Sequence, residues 1–374
     1  MADFSIISES GFDINRGPTV GMLTVSILSM LSSLLILITG VLLPYQWNKT
    51  YMKIIYYIAI ADFLTALGSS VGTPHNRSSS CYFEALVTNI FTLSSVFWCV
   101  IISYLLYYIV AKGKSFPVDY KMHIVCWGFP VVVTLLPFIN TNYGGVDDDG
   151  GSWCFIVDDD RSGSWDTTIW FWLAYYLWIW LSIIFILAIN CIVMYKAKYQ
   201  LKEETKIEVN AAIKKMVGYP LVIVLVWAVS TAYDTLTVLF PGKKFEGYAV
   251  MKWLSTVYPC SQGFFIALVF FYVLNDVRRD SLEVLREMIK TGKWKVGEQK
   301  KRRKQTLFSS SSSRKVVVDD LSSFRTYTVD EPTVRSLREA TINDRSDLNS
   351  SAHIDESVTT TVTVTAGELK LEDI

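Results

Sequence analysis

Residues 20–43 read VGMLTVSILSMLSSLLILITGVLL, a run without one charged side chain. A helix rises about 1.5 Å per residue, so a run of this length crosses the roughly 30 Å apolar core of a bilayer. Six stretches of the same kind follow: Tyr51–Gly72, Glu84–Val110, Met122–Asn140, Thr167–Tyr195, Lys215–Phe240 and Ala249–Leu274. Each is rich in Leu, Ile, Val, Phe, Trp and Tyr and nearly free of charge. A soluble protein can bury one such stretch, but seven leave too little polar chain to cover them. Apolar residues make up 51% of the chain and charged ones 19%, and the polar share concentrates in the last hundred residues. The pattern predicts an all-α fold, a seven-transmembrane-helix bundle with a short amphipathic eighth helix and a disordered cytoplasmic tail. The expected divisions are an extracellular segment 1–18, the bundle 19–274, a membrane-surface helix 275–290 and the tail 291–374.

Net charge is zero, but its distribution orients the chain. The first connection carries Lys49 and Lys53, the third Lys112, Lys114 and Lys121, and the fifth a series from Lys196 to Lys215. The alternate connections are poorer in Lys and Arg, and the fourth holds Asp147–Asp149 and Asp158–Asp160. Basic residues stay on the cytoplasmic side, so the N-terminus is expected outside and the C-terminus inside a multi-pass plasma-membrane protein. Residues 1–18 lack a basic segment followed by an apolar run, so the first span is expected to serve as the insertion signal. On this topology the Asn76-Arg77-Ser78 sequon faces outward and is a glycosylation candidate.

Of six cysteines, Cys99, Cys126, Cys191 and Cys260 lie inside apolar spans and read as small core residues. Cys81 and Cys154 are the pair placed outside, where a bridge persists. A Cys81–Cys154 disulfide would tie the fourth connection over the head of helix three.

Seven helices with an outer N-terminus and such a bridge resemble a G-protein-coupled receptor. The run from Cys81 to Trp98, CYFEALVTNIFTLSSVFW, resembles helix three of the cyclic-AMP-receptor-like family of social amoebae, fungi, plants and protists. So do Tyr219–Trp227 in helix six and Gln262-Gly263-Phe264-Phe265 in helix seven, while Ile58–Asp62 matches a small-residue-plus-Asp pattern that many receptors carry in helix two. The rhodopsin-like Asp/Glu-Arg-Tyr is absent, because helix three ends Tyr107-Tyr-Ile-Val-Ala-Lys112, and the Asn-Pro-x-x-Tyr of helix seven is absent too. The resemblance implies a receptor that senses an extracellular ligand, a cyclic nucleotide or a nutrient, and activates a heterotrimeric G protein.

Ionisable side chains at membrane depth are costly and mark functional positions. Asp62, mid-span in helix two, reads as a polar hub that changes partners on activation or as a carboxylate satisfied by neighbouring Ser and Asn. Glu84 and Asp234 lie where a receptor pocket opens, and with Tyr233, Trp253 and Tyr258 they are the ligand-pocket candidates. A cyclic nucleotide would require Arg or Lys for its phosphate. The outer side offers only Arg77, Arg161, Lys243, Lys244 and Lys252. That scarcity counts against cyclic AMP. The aromatic crowd from Trp165 to Trp180 reads as an interfacial belt in its first part, with deeper members facing lipid or neighbouring helices, the alternative being that one of them stacks on ligand in a pocket.

Pro220, just after Gly218, removes a backbone donor and is the candidate hinge for outward swing of the inner end of helix six. Lys112, Lys114, Lys206, Lys214 and Lys215 are G-protein-facing candidates. Leu282, Leu285, Met288 and Ile289 form an apolar stripe on a charged helix, expected to lie along the inner leaflet. In the tail, Lys300–Lys304 would attract anionic lipid. Ser309, Ser310, Ser311, Ser312, Ser313, Thr359, Thr360 and Thr361 are phosphorylation candidates that would recruit an arrestin-like partner.

No metal-ligand cluster, phosphate loop or nucleophile elbow appears, so neither an enzyme nor a cofactor is implied, and no nucleic-acid polymer is an expected partner. A retinal protein would need a lysine midway in helix seven, and Lys252 is near its outer end. The alternative that remains is a seven-helix transporter or channel, for which no internal repeat is evident.

Overall fold

The computed structural model describes residues 17–71, 77–140, 143–146, 153–156, 169–199, 203–239 and 248–291. All lie in one unit, Met1–Phe324, and the second unit, Arg325–Ile374, is outside the described residues. Among the described residues, six helices are long and apolar enough to span a bilayer: Val20–Leu42, Thr50–Ser69, Ser79–Lys112, Tyr120–Ile139, Ile169–Tyr199 and Val209–Leu236. The seventh is a broken pair, Trp253–Cys260 and Gln262–Val273, bent by 48°. Rows of large apolar side chains face outward, such as Leu28, Leu31 and Leu35 on helix one and Leu181 and Ile184 on helix five. Exposed apolar rows of this extent suit a hydrocarbon solvent and not water.

Local sequence explains where helices start, stop and deform. Helix three begins where Ser78 Oγ accepts from the Cys81 backbone N–H at 3.2 Å, and it ends at Gly113, whose φ of 64° is left-handed. Helix four begins at the Asp119 cap, whose carboxylate accepts from the Met122 N–H. It then widens into a π-turn over Ile124–Gly128, just before Pro130. Proline cannot donate to the carbonyl four residues back, and a π-turn absorbs the missing bond. Helix five has a second π-turn at Trp172–Tyr176.

Helix three is the axis of the packing. Its buried face runs through Leu93, Val96, Trp98, Cys99, Ile102 and Leu106, joining one large cluster with helices two, five and six. A ring of aromatics fastens helices two and four to it: Trp98 lies 4.8 Å from Tyr57, 5.3 Å from His123 and 6.0 Å from Trp127.

The all-α expectation needs one addition. The fourth connection contains an antiparallel hairpin, Tyr143–Val146 with Trp153–Ile156, in which Gly145 faces Cys154. The Cys81–Cys154 disulfide pins it to the head of helix three, with a Cα–Cα distance of 5.2 Å. Tyr143, Cys154 and Ile156 form a small second core with Cys81, Ala85 and Ala174. The Tyr143 hydroxyl donates to the Thr134 carbonyl at 2.9 Å, and burial pushes its pKa well up.

At the opposite end, the helix Asn275–Thr291 follows helix seven directly. Its face toward the bundle is Val277, Ser281 and Val284, which leaves the stripe read from sequence turned away from the bundle. Leu282, Leu285 and Ile289 point outward and Met288 is half-buried. Tyr45 donates its hydroxyl to Asp280 at 2.8 Å and ties this helix to the first connection.

Candidate functional site

At the hairpin end the bundle holds a cavity of about 120 Å³. Its walls come from helices one, two, three, five, six and seven and from the hairpin. Glu84, Thr88 and Thr92 of helix three face it, with Phe155 of the hairpin, Tyr175 and Tyr176 of helix five, Trp227 and Ser230 of helix six, and Ser255, Thr256 and Pro259 of helix seven. Glu84 is 3% exposed and accepts from the Cys154 backbone N–H at 3.2 Å. The disulfide therefore also places the donor that holds this carboxylate.

Asp234 sits behind the wall. It accepts from the Tyr176 hydroxyl, and Ser230 Oγ stands 3.4 Å away. The other pocket candidates stand apart from the lining. Tyr233 is buried elsewhere on helix six, Trp253 is 40% exposed with its ring over Gly21, and Tyr258 packs on Phe265 at 5.8 Å. Conversely, Tyr175 and Tyr176, read from sequence as lipid- or helix-facing, line the cavity. The π-turn at Trp172–Tyr176 shifts the phase of helix five, which an apolar window does not register.

Below the cavity lies a polar cluster. Trp227 Nε1 donates to Gln262 Oε1 at 2.8 Å. Gln262 Nε2 donates to Asp62 Oδ1 at 2.5 Å and to Ser95 Oγ at 2.8 Å, and Ser95 Oγ donates to Asp62 Oδ1 at 2.7 Å. Asp62 is 2% exposed, and its Oδ2 has no hydrogen-bond partner. Helices two, three, six and seven thus meet at one carboxylate. Gln262 was visible only as part of a motif, and its pairing with Asp62, two hundred positions away, leaves no local signal.

Gln262 stands at the break in helix seven, and the chemistry of that break is specific. Pro259 cannot donate to the Ser255 carbonyl, which instead accepts from Ser230 Oγ of helix six at 3.0 Å. Ser261 Oγ donates to the Tyr258 carbonyl at 2.5 Å. The bent helix is therefore stitched to helix six on both sides of the break, by Ser230 and by Trp227.

Pro220 is buried in the first turn of the helix Gly218–Leu239, after an interruption at Val217 that separates it from Glu203–Met216. The sharper bend is the one in helix seven. Lys112, Lys114 and Lys214 are exposed and Lys215 is half-buried, all at the end opposite the hairpin. The side chain of Lys206, Asn76, the tail hydroxyls and the 300–304 basic cluster lie outside the described residues.

A seven-helix bundle of membrane-spanning length, with a disulfide-tethered hairpin lining a cavity at one end, defines a multi-pass membrane protein. The family description "Slime mold cyclic AMP receptor" matches residues 12–306, and the chain belongs to that family. It is 25% identical over 228 residues to "G-protein coupled receptor 1" of Arabidopsis thaliana, covering 57% of this chain and 64% of that protein. It is 26% identical over 159 residues to "G-protein coupled receptor 157" of Homo sapiens, covering 40% of this chain and 46% of that protein. The chain thus matches less than two thirds of the length of either relative. These relatives are receptors and not enzymes.

Proposed function

We propose that the chain is a plasma-membrane G-protein-coupled receptor with its hairpin end outside. A small extracellular ligand occupies the cavity, and a heterotrimeric G protein docks at the opposite end. Supporting this reading above all is the position of Trp227, which is both a wall of the cavity and a hydrogen-bond donor to Gln262. A ligand that moves the Trp227 ring changes a bond that Gln262 shares with Asp62 and Ser95. The element with two arrangements is the bent helix seven together with helix six, which Ser230 and Trp227 join. Pro220 and the break at Val217 let the inner part of helix six follow. A ligand shifts this equilibrium only by its differential affinity for the two arrangements. Lys112, Lys114, Lys206, Lys214 and Lys215 would meet the G protein, and Leu282, Leu285 and Ile289 would meet lipid at the inner leaflet. The phosphorylated tail would recruit an arrestin-like protein.

The test is guanine-nucleotide exchange on G protein reconstituted with the full-length chain, read with a panel of small molecules. Ligand-dependent exchange supports the proposal. Solute flux through the same vesicles, with no exchange on any Gα, would replace it with a transporter.

A further inference from the structure

Resting on that reading, we propose that the cavity takes a small organic cation, a primary or substituted ammonium, with Glu84 as its counter-ion and an aromatic wall of Phe155, Tyr175, Tyr176 and Trp227. Four observations carry this. Glu84 is almost wholly buried yet pairs with no cation among the described residues, and its one hydrogen bond comes from the Cys154 N–H. A buried carboxylate without a counter-charge is costly, and an ammonium ligand supplies the charge. None of the described residues lining the cavity is basic, so nothing there would meet a phosphate. The four rings present the surface that cations favour, since an ammonium is attracted to the negative face of an aromatic ring. Finally, the volume of about 120 Å³ is a little below the roughly 150 Å³ of a cavity that holds benzene, which suits a short amine.

The hydroxyls of Thr88, Thr92 and Ser230 along the same wall are acceptors for the N–H groups that Glu84 leaves free. Glu84 also reports on the hairpin, because its orientation depends on a backbone N–H that the disulfide fixes. Ligand capture and hairpin position are therefore linked through one carboxylate.

The experiment uses full-length protein in lipid nanodiscs and calorimetric titration with isobutylamine and ethanolamine. Their neutral isosteres isobutanol and ethylene glycol, and cyclic AMP, are titrated alongside. The expected result is that the amines bind at least about tenfold more tightly than their isosteres. Glu84→Gln, which keeps the shape and an acceptor for Cys154, should erase that preference. The wild-type comparison stands even where the variant folds poorly. No amine binding, no preference over the isosteres, a preference that survives Glu84→Gln, or binding of cyclic AMP in place of amines would each overturn the proposal. Nucleotide exchange measured in parallel separates the two claims. Glu84-dependent amine binding without exchange removes the receptor reading and leaves the site. Exchange driven by cyclic AMP removes the site and leaves the receptor.

Discussion

Replacing Gly263 with alanine tests the packing beneath the cavity. A methyl there would run into Ser33 Oγ, lie 2.6 Å from Ser29 Oγ and 3.2 Å from Asp62 Cβ. Ordinary carbon contacts begin near 3.5 Å, so the methyl overlaps three atoms on two helices. Both hydroxyls can rotate about χ1, but the Asp62 Cβ cannot, because its place is set by the backbone of helix two. Helix one or helix two must give by several tenths of an ångström. Overpacking of this kind costs about 1–3 kcal/mol, and 2 kcal/mol lowers Tm by roughly 2–4 °C for a protein of this size. Thermal unfolding of the detergent-solubilised protein reads it directly. Gly128→Ala is the control, since its methyl would meet only Ile124 at 3.9 Å. There the gain in helix propensity makes alanine neutral or slightly stabilising. Adding Ser29→Ala and Ser33→Ala to Gly263→Ala removes both hydroxyl clashes and should restore part of the loss, the remainder being the contact with Asp62 Cβ. A Gly263→Ala protein that melts with the wild type would refute the close approach of helices one, two and seven, and with it the geometry of the Asp62 cluster.

Trp227→Phe keeps the aromatic wall but leaves Gln262 Oε1 without its donor, a loss of about 1–2 kcal/mol between helices. Ligand-driven nucleotide exchange should fall about fivefold or more while surface expression, read by antibody binding, stays normal. Cys154→Ala should cost about 2–5 kcal/mol of stability by melting and also weaken ligand binding, because the hairpin no longer fixes the N–H that holds Glu84. Pro220→Ala should change basal nucleotide exchange without removing the protein from the cell surface, and unchanged exchange would dismiss the hinge. Tyr45→Phe should speed hydrogen exchange in Asn275–Thr291 and leave the seven spans unaffected.

Hydropathy located the spans because lipid imposes length and composition on any segment that crosses it. Val20–Leu43 in the reading is Val20–Leu42 in the structure, and Met122–Asn140 is Tyr120–Ile139. The same criterion failed where helices leave the hydrocarbon. Helix three runs from Ser79, five residues before the apolar window opens, because the Ser78 cap sets its start. Helix six has the polar extension Glu203–Met216, which an apolar window excludes. The cysteine pair was legible because topology left two candidates outside. The cavity lining was not, since helix rotation is ambiguous where every face is apolar, and the π-turns alter that rotation. In the eighth helix, two valines and a serine proved to be the packed face, while the larger residues face outward. The stripe of Leu282, Leu285 and Ile289 was legible from its spacing, whereas the packed face was not, because close packing on a neighbouring helix uses small or β-branched side chains, and two valines around a serine carry little hydropathy signal.

The placement of the bend in helix seven bears on how a signal could cross the bundle. A proline in a lipid-facing helix leaves a carbonyl that neither water nor its own helix can satisfy. Here the orphan carbonyl of Ser255 takes Ser230 Oγ of helix six, so the cost of the kink is met only while the two helices stay in register. The same two helices share the Trp227–Gln262 bond one turn below. A rotation of helix six would break both bonds together, and each exposes a polar group in an apolar surrounding. Such an arrangement resists small displacements and yields to large ones, which is what a two-state element requires. Pro220 alone lacks this property, since a proline in a helix's first turn removes no bond that a neighbouring helix supplies. The proline that ties helix seven to helix six is therefore Pro259.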